Sequence, residues 1–247
     1  MKLVYINYAD ENFEENQNFL LHHISKNNIF PEAKAYSRKW LESTKFYSEN
    51  KKILDYQRLS GYALWKPYII LQSLESSDLA YGDAVVYMDC GDIPLAPQLN
   101  SCIEEYLLKE DQYFINTVTL QNKQYTKRDC FVLMGCDEEK YWNDIQLEDG
   151  FLVFKKTDFN IEFVKEWLEY CKDERVITDC ENVCGLPNFP EFIDHRHDQS
   201  IISLLYTKHN LTSCNYVRPY IQFNTMFHKD GEQLSNGTAT WEDGKVV

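Results

Sequence analysis

The sequence predicts an α/β protein, a single domain with a mostly parallel central sheet flanked by helices. Three observations lead there. Ala84–Met88 is an unbroken apolar run too short for a helix and without polar alternation, which reads as a strand buried on both faces. Strand-like and helix-like patterns alternate along the chain, as βα units require. No linker, repeat or low-complexity block divides the 247 residues, a length that buries a sizeable core.

Taken in order, Leu3–Ile6 is a first strand, and Phe13, Leu20, Leu21 and Ile24 recur at helical spacing, predicting a helix over 12–26. From Gly61 a loop feeds a helix in which Pro67 fits the first turn, where its missing N–H is no loss. The strand at 84–88 follows, then a helix capped by Asn100 and running to about Lys109, and a strand at 112–116. Thr126 to Asp129 has capping-box spacing, Gly150–Phe154 reads as a strand, and Asp158 as the cap of a helix that aligns Ile161, Val164 and Leu168. Residues 172–194, with Gly185, Pro187 and Pro190, read as a surface excursion. Another helix opens near Asp198, which is expected to cap it, and NYVRPYIQF (215–223) gives a late strand. The domain is expected over 1–230, followed by a polar tail over 231–247.

Composition narrows the function. Lys plus Arg total 25 against 39 Asp plus Glu, a formal charge of −14 that argues against a nucleic-acid partner, which needs a basic face. No run approaches the length of a membrane span, and the start lacks the apolar block of a signal peptide. The eight cysteines form no C-x-x-C pair and several sit in apolar patterns, so reduced thiols and a cytoplasmic location are expected.

Chemistry concentrates where YGDAVVYMDCGDIP (81–94) ends its strand in Asp89, with Asp92 three positions on. Ligands of open α/β sheets bind beyond the carboxyl ends of strands. Two hard oxygen donors there suit Mn²⁺ or Mg²⁺, ions that in turn bind phosphate oxygens. The bland alternative is two solvated turn residues before Pro94. A second constellation is His195-Arg-His-Asp198-Gln199, with a helix cap in a polar loop as its bland reading.

The stretch around Asp89 resembles the metal-binding Asp-x-Asp region of GT-A nucleotide-sugar glycosyltransferases. More closely, GYALWKPYIILQSL with VVYMDCG, and later HRHDQSIISLL, are similar to the W-K-P, Y-x-D-x-G and H-R-x-D-Q-S blocks of a poorly characterised bacterial and viral group of such enzymes. The blocks extend over roughly residues 58–206, and the chain departs from the motif in having Gly91 where the second Asp belongs. The resemblance implies a GT-A (Rossmann-like) fold and transfer of a hexose from a nucleotide diphosphate, UDP foremost, to a hydroxyl of a glycan-type acceptor, assisted by Mn²⁺ or Mg²⁺. It implies Asp89, Asp92 and His228 as metal ligands. Gln199 would lie beside the reacting carbon, with Asp198 orienting a sugar. Tyr8 and Asp10 would hold the base and ribose, and Asp149 would contact donor or acceptor.

Arg58, Lys66 and Arg128 are the cationic candidates for the diphosphate, with Lys229 beside His228. Lys66 is favoured because Trp65 and Pro67 fix it at a helix start, where N–H groups also favour anions. An inverting enzyme would need Asp149 or Asp198 as base, whereas a retaining one needs none and suits Gln199; retention is favoured. The alternatives are a non-catalytic sugar-nucleotide or glycan-binding module and a metal-dependent phosphohydrolase.

Overall fold

The structure, a computed structural model, describes residues 1–223 and, beyond them, only the backbone pairing of Trp241–Glu242 with Lys245–Val246. His228, Lys229, the end of the expected 1–230 domain and most of the 231–247 tail lie outside the described residues.

The strands are β1 (Leu3–Ala9), β2 (Glu32–Ser37), β3 (Ala84–Met88), β4 (Ile93–Pro94), β5 (Gln112–Gln121), β6 (Ile145–Lys155) and β7 (Ile221–Gln222). The first helices are α1 (Glu14–Lys26), α2 (Arg38–Glu42), α3 (Lys45–Glu49), α4 (Lys51–Leu54), the left-handed turn α5 (Leu59–Tyr62), α6 (Trp65–Leu74) and α7 (Gln98–Leu107). The rest are α8 (Asn122–Tyr125), α9 (Arg128–Leu133), α10 (Glu139–Trp142), α11 (Asp158–Cys171), α12 (Glu174–Ile177) and α13 (His197–Lys208).

Five strands make the central sheet in the order β2-β1-β3-β6-β5. β2, β1 and β3 pair in parallel, and β6 is antiparallel to both β3 and β5. Four strands therefore run one way and β6 alone is reversed, which meets the mostly parallel expectation. Successive side chains of a strand face opposite layers, and β3 shows why it is apolar throughout. Val85 and Tyr87 pack into the layer of α6, α11 and α13, while Ala84, Val86 and Met88 join Ile24 of α1 and Leu99, Ile103 and Leu107 of α7. All five β3 side chains are fully buried.

Several local expectations are corrected. Thr157, not Asp158, caps α11 by accepting from the Asn160 N–H. α7 begins at Gln98, ahead of Asn100, whose amide bonds to the Ile29 carbonyl instead. The capping box sits at Gln121 and Gln124, whereas α9, after Thr126, has none. The late strand shrinks to Arg218–Tyr220, a single 3₁₀ turn, and the two residues of β7, which pair with β4 outside the main sheet. The edge strand β2, exposed over Glu32–Ala35, carries too little apolar signal to have been foreseen.

Candidate active site

A cavity of about 410 Å³ opens at the carboxyl ends of β1 and β3. Its walls carry Tyr8 and Asp10 at the end of β1, Asp89 to Asp92 just past β3, Asp149 from the reversed β6, Arg58, Ser60, Ala63, Trp65 and Lys66 around the α5–α6 corner, and Asp194 to Gln199 ahead of and within α13. Of the predicted site residues within reach of the structure, only Arg128 is missing from this wall. It pairs with Asp137 at 2.9 Å and packs over the Phe189 and Trp142 rings, so its charge is spent elsewhere.

Lys66 is the centre of the floor. It is 4 % exposed, and its Nζ lies 2.8 Å from Asp149 Oδ2, 3.1 Å from Asp198 Oδ2 and 3.5 Å from Asp89 Oδ1, with the Tyr87 ring 5.2 Å away. Burial alone would discharge an ammonium, but the three carboxylates outweigh it and hold Lys66 charged well above the usual lysine range. Expected to meet a diphosphate, Lys66 lines the cavity with its charge matched by these three carboxylates. Burial also pushes the Asp198 carboxyl well above the usual range, opposed by Lys66 and reinforced by neighbouring Asp149. Asp198 is no helix cap either, since Arg196 occupies that position and Asp198 lies inside the first turn, facing Lys66.

Asp89 leaves β3 with its side chain 42 % exposed to the cavity, yet protein surrounds it closely enough for burial to raise its carboxyl, an effect Lys66 opposes. The Tyr87 hydroxyl donates to Oδ1. The other oxygen, Oδ2, faces the Cα of Gly150, and so does Oδ2 of Asp92. A Cβ on Gly150 would come within 2.5 Å of Asp92 Oδ2 and 3.4 Å of Asp89 Oδ2, so glycine keeps this cradle open. Two hard oxygen donors from the ends of one turn, closed by the Asp92 N–H on the Asp89 carbonyl, fit Mg²⁺ or Mn²⁺. Among the described residues no group of three or more metal-ligating side chains occurs. An ion here would be held by these one or two carboxylates and completed by substrate phosphates and water.

Gln199 donates its amide to the Leu147 carbonyl at 2.8 Å, which fixes the side chain on β6 at the cavity wall. Tyr8 stacks on Trp65 with ring centroids 4.0 Å apart and bonds to Ser60 through its hydroxyl. Ser60 belongs to five successive residues with positive φ, from Leu59 (48°) to Ala63 (59°). Four are not glycine, at a cost of roughly 1–2 kcal/mol each. The fifth, Gly61, is required by space as well, because a Cβ would meet the Leu54 Cα at 2.6 Å. Such strain concentrates at ligand sites, and here it sets the corner that delivers Trp65 and Lys66.

At the rim, Arg58 bridges Asp194 at 3.0 Å and Asp179 at 3.4 Å. His195 and His197 are held by the Val176 and Ile177 carbonyls, and burial keeps both below the usual histidine range. Arg196, quoted in the HRHDQS block but given no role by sequence reasoning, also lines the cavity, its guanidinium 4.4 Å over the Tyr125 ring. Its place beside an Asp-Gln pair was the signal that could have found it.

No protein-family model and no curated protein matches the sequence. Solved structures do resemble the chain. One is a glycosyltransferase involved in the glycosylation of the major capsid of PBCV-1, at 9 % identity over 79 % of this chain and 82 % of that one, with a TM-score of 0.39. Another is mouse xyloside xylosyltransferase 1 in its apo form, at 8 % identity over 87 % and 84 %, TM-score 0.45. A third is the galactosyltransferase LgtC in complex with donor and acceptor sugar analogues, at 12 % identity over 82 % and 70 %, TM-score 0.40. These are GT-A-like glycosyltransferases, the family the sequence blocks resemble. At such identities and scores the likeness carries nothing about substrates or residues, which rest on the cleft itself. No helix among the described residues is long and apolar enough to cross a membrane.

Proposed function

We propose that the chain is a glycosyltransferase that moves a hexose from a UDP-sugar to a hydroxyl of a glycan-type acceptor, assisted by Mn²⁺ or Mg²⁺ and with retention of configuration. The observation that carries this reading is the cradle over Gly150, where Asp89 and Asp92 turn carboxylate oxygens into a cavity otherwise rich in acids. Six aspartates and three cations line it, and two of those cations are matched by aspartates. An anionic diphosphate enters such a site only with a divalent ion, which supplies the Lewis acid that neutralises the leaving group.

Within that reading Tyr8, stacked on Trp65, and Asp10 receive the base and ribose at the β1 end. The sugar lies towards β6, where Gln199 presents its carbonyl to the anomeric carbon and Asp198 and Asp149, held by Lys66, orient hydroxyls. Both candidate bases are committed to Lys66, which favours retention: the bond from C1 to the diphosphate breaks, the acceptor oxygen bonds to C1, and its proton passes to the departing diphosphate. The test is Asp89→Asn. Mn²⁺-dependent UDP binding by calorimetry should disappear while the melting temperature stays within a few degrees; unchanged binding rejects the reading. Hydrolysis of simple phosphate monoesters by the wild type would favour a phosphohydrolase instead.

A further inference from the structure

The third cation of the cavity stands apart from the other two. Arg196 makes no ion pair and no side-chain hydrogen bond among the described residues, although its neighbours in the wall are largely acids. Its position is nonetheless fixed. The backbone N–H donates to the Tyr125 carbonyl at 3.1 Å and to Ser200 Oγ at 3.1 Å, and the guanidinium lies over the Tyr125 ring. Stacking leaves the planar edge, with its N–H fork, available for a carboxylate or phosphate.

Where that fork stands along the cleft follows from the sheet. The β1 end carries Tyr8 and Asp10, the β3 end Asp89 and Asp92, and the middle of β6, beside the β3 end, Asp149. Arg196 lies further along in the same direction. Its anchor, the Tyr125 carbonyl, also accepts from Gln146 of β6, while Gln199 of the same segment bonds to Leu147 of β6. Glu148, again from β6, senses the Arg196 charge together with that of Arg218.

We infer that Arg196 binds an oxyanion, a carboxylate or phosphate, carried by the substrate beyond the diphosphate, on the transferred sugar or on the acceptor. This rests on the reading of the cleft as a sugar-nucleotide site and adds to it that one of the two sugars is acidic. The bland alternative, a solvated surface arginine, leaves unexplained why the unmatched charge is the one anchored inside the wall.

Calorimetry in the presence of Mn²⁺ tests it on the wild type, Arg196→Gln and Arg196→Lys. The probes are UDP, the pair UDP-glucose and UDP-glucuronic acid, and, with UDP saturating, the pair glucose and glucose 6-phosphate. The wild type should favour the acidic member of one pair by about tenfold or more, a difference of about 1.4 kcal/mol, and that pair names the source of the oxyanion. Arg196→Gln should erase the preference while UDP affinity stays within about twofold. Arg196→Lys, which keeps the charge and loses the fork, should fall between, and it carries the test if the glutamine variant does not fold. A wild type that binds UDP but treats both pairs alike overturns the inference. So does an Arg196→Gln variant that loses UDP itself, which would move the guanidinium to the diphosphate. A wild type that binds no UDP at all overturns the underlying reading and the inference with it.

Discussion

The floor of the cleft and its rim each hold one cation among several aspartates. On the floor Lys66 faces Asp149, Asp198 and Asp89. On the rim Arg58 faces Asp194 and Asp179. The chemistry is nearly the same and the distances overlap, yet the Lys66 side chain is 5 % exposed and that of Arg58 47 %. Water screens the rim pair and supplies partners to either group when the other is lost. Lys66, Asp149 and Asp198 have no such reserve, so each of those charges depends on the others, and only Asp89 opens to the cavity. Burial, not ion-pair count, separates a group that organises the site from one that decorates its entrance.

The largest expected effect comes from removing the floor cation. Lys66→Met leaves three carboxylates around a buried apolar stem, and breaking a buried pair costs about 3–5 kcal/mol. The loss should depend on pH with a definite sign. Asp89 and Asp198 already have raised folded-state carboxyls, and without Lys66 they rise further. A raised folded pKa gives stability that is present below the unfolded value and lost as pH rises through the folded one. Urea unfolding should therefore show a smaller loss near the unfolded carboxyl range than at neutral pH. A loss under about 1 kcal/mol at neutral pH would place Lys66 with Arg58 instead.

A smaller effect probes the carboxylate next to the floor. Burial, reinforced by Asp149, pushes Glu148 from the usual glutamate value of 4.5 up to about 7, although Arg218 at 3.7 Å opposes the shift. The sign is the same: Glu148 favours the folded state below pH 4.5, and that contribution drains away as pH rises to about 7. The full shift corresponds to at most about 3.4 kcal/mol, and solvent at the 26 % exposed side chain reduces it. Glu148→Gln should flatten the fall in wild-type stability across that window and raise stability at neutral pH. An unchanged slope would mean that other groups titrate there.

These contrasts mark what the sequence could carry. β3 and its terminal acids were legible because five buried side chains in a row have one structural meaning, and a carboxylate beyond them needs an explanation. The layer order followed from alternation, but the reversal of β6 did not, since hydrophobic pattern sets which face is buried and not the direction of the strand. Helix caps misled wherever an Asp or Asn stood near a start, because a capping residue is chosen by backbone geometry; Asp158 and Asp198 both yielded that place to a neighbour. Lys66, Arg58 and Arg128 looked alike as cations near motif residues. Only packing shows that Lys66 faces the floor aspartates, Arg58 those of the rim and Arg128 Asp137. The left-handed run from Leu59 to Ala63 was invisible for a related reason, since Gly61 alone among its residues announces positive φ.

The smallest expected effect closes the comparison from the rim side. Arg58→Gln removes a guanidinium that is half open to water and leaves Asp179 and Asp194, with side chains 37 % and 49 % exposed, free to hydrate. Stability should therefore fall by no more than about 1 kcal/mol, and by less at high salt, where the wild-type pair is already screened. The functional consequence separates two roles. If Arg58 met the diphosphate, it would have to leave two aspartates to do so, and Arg58→Gln would weaken UDP binding by about tenfold or more, as loss of a charge-assisted contact does. If the two aspartates keep it, UDP affinity should change by less than about threefold, well under the loss from Asp89→Asn. Calorimetric titration of Arg58→Gln with UDP and Mn²⁺ at low and high salt decides between them. A tenfold loss that persists at high salt would return Arg58 to the diphosphate and show that the rim pair opens when substrate binds.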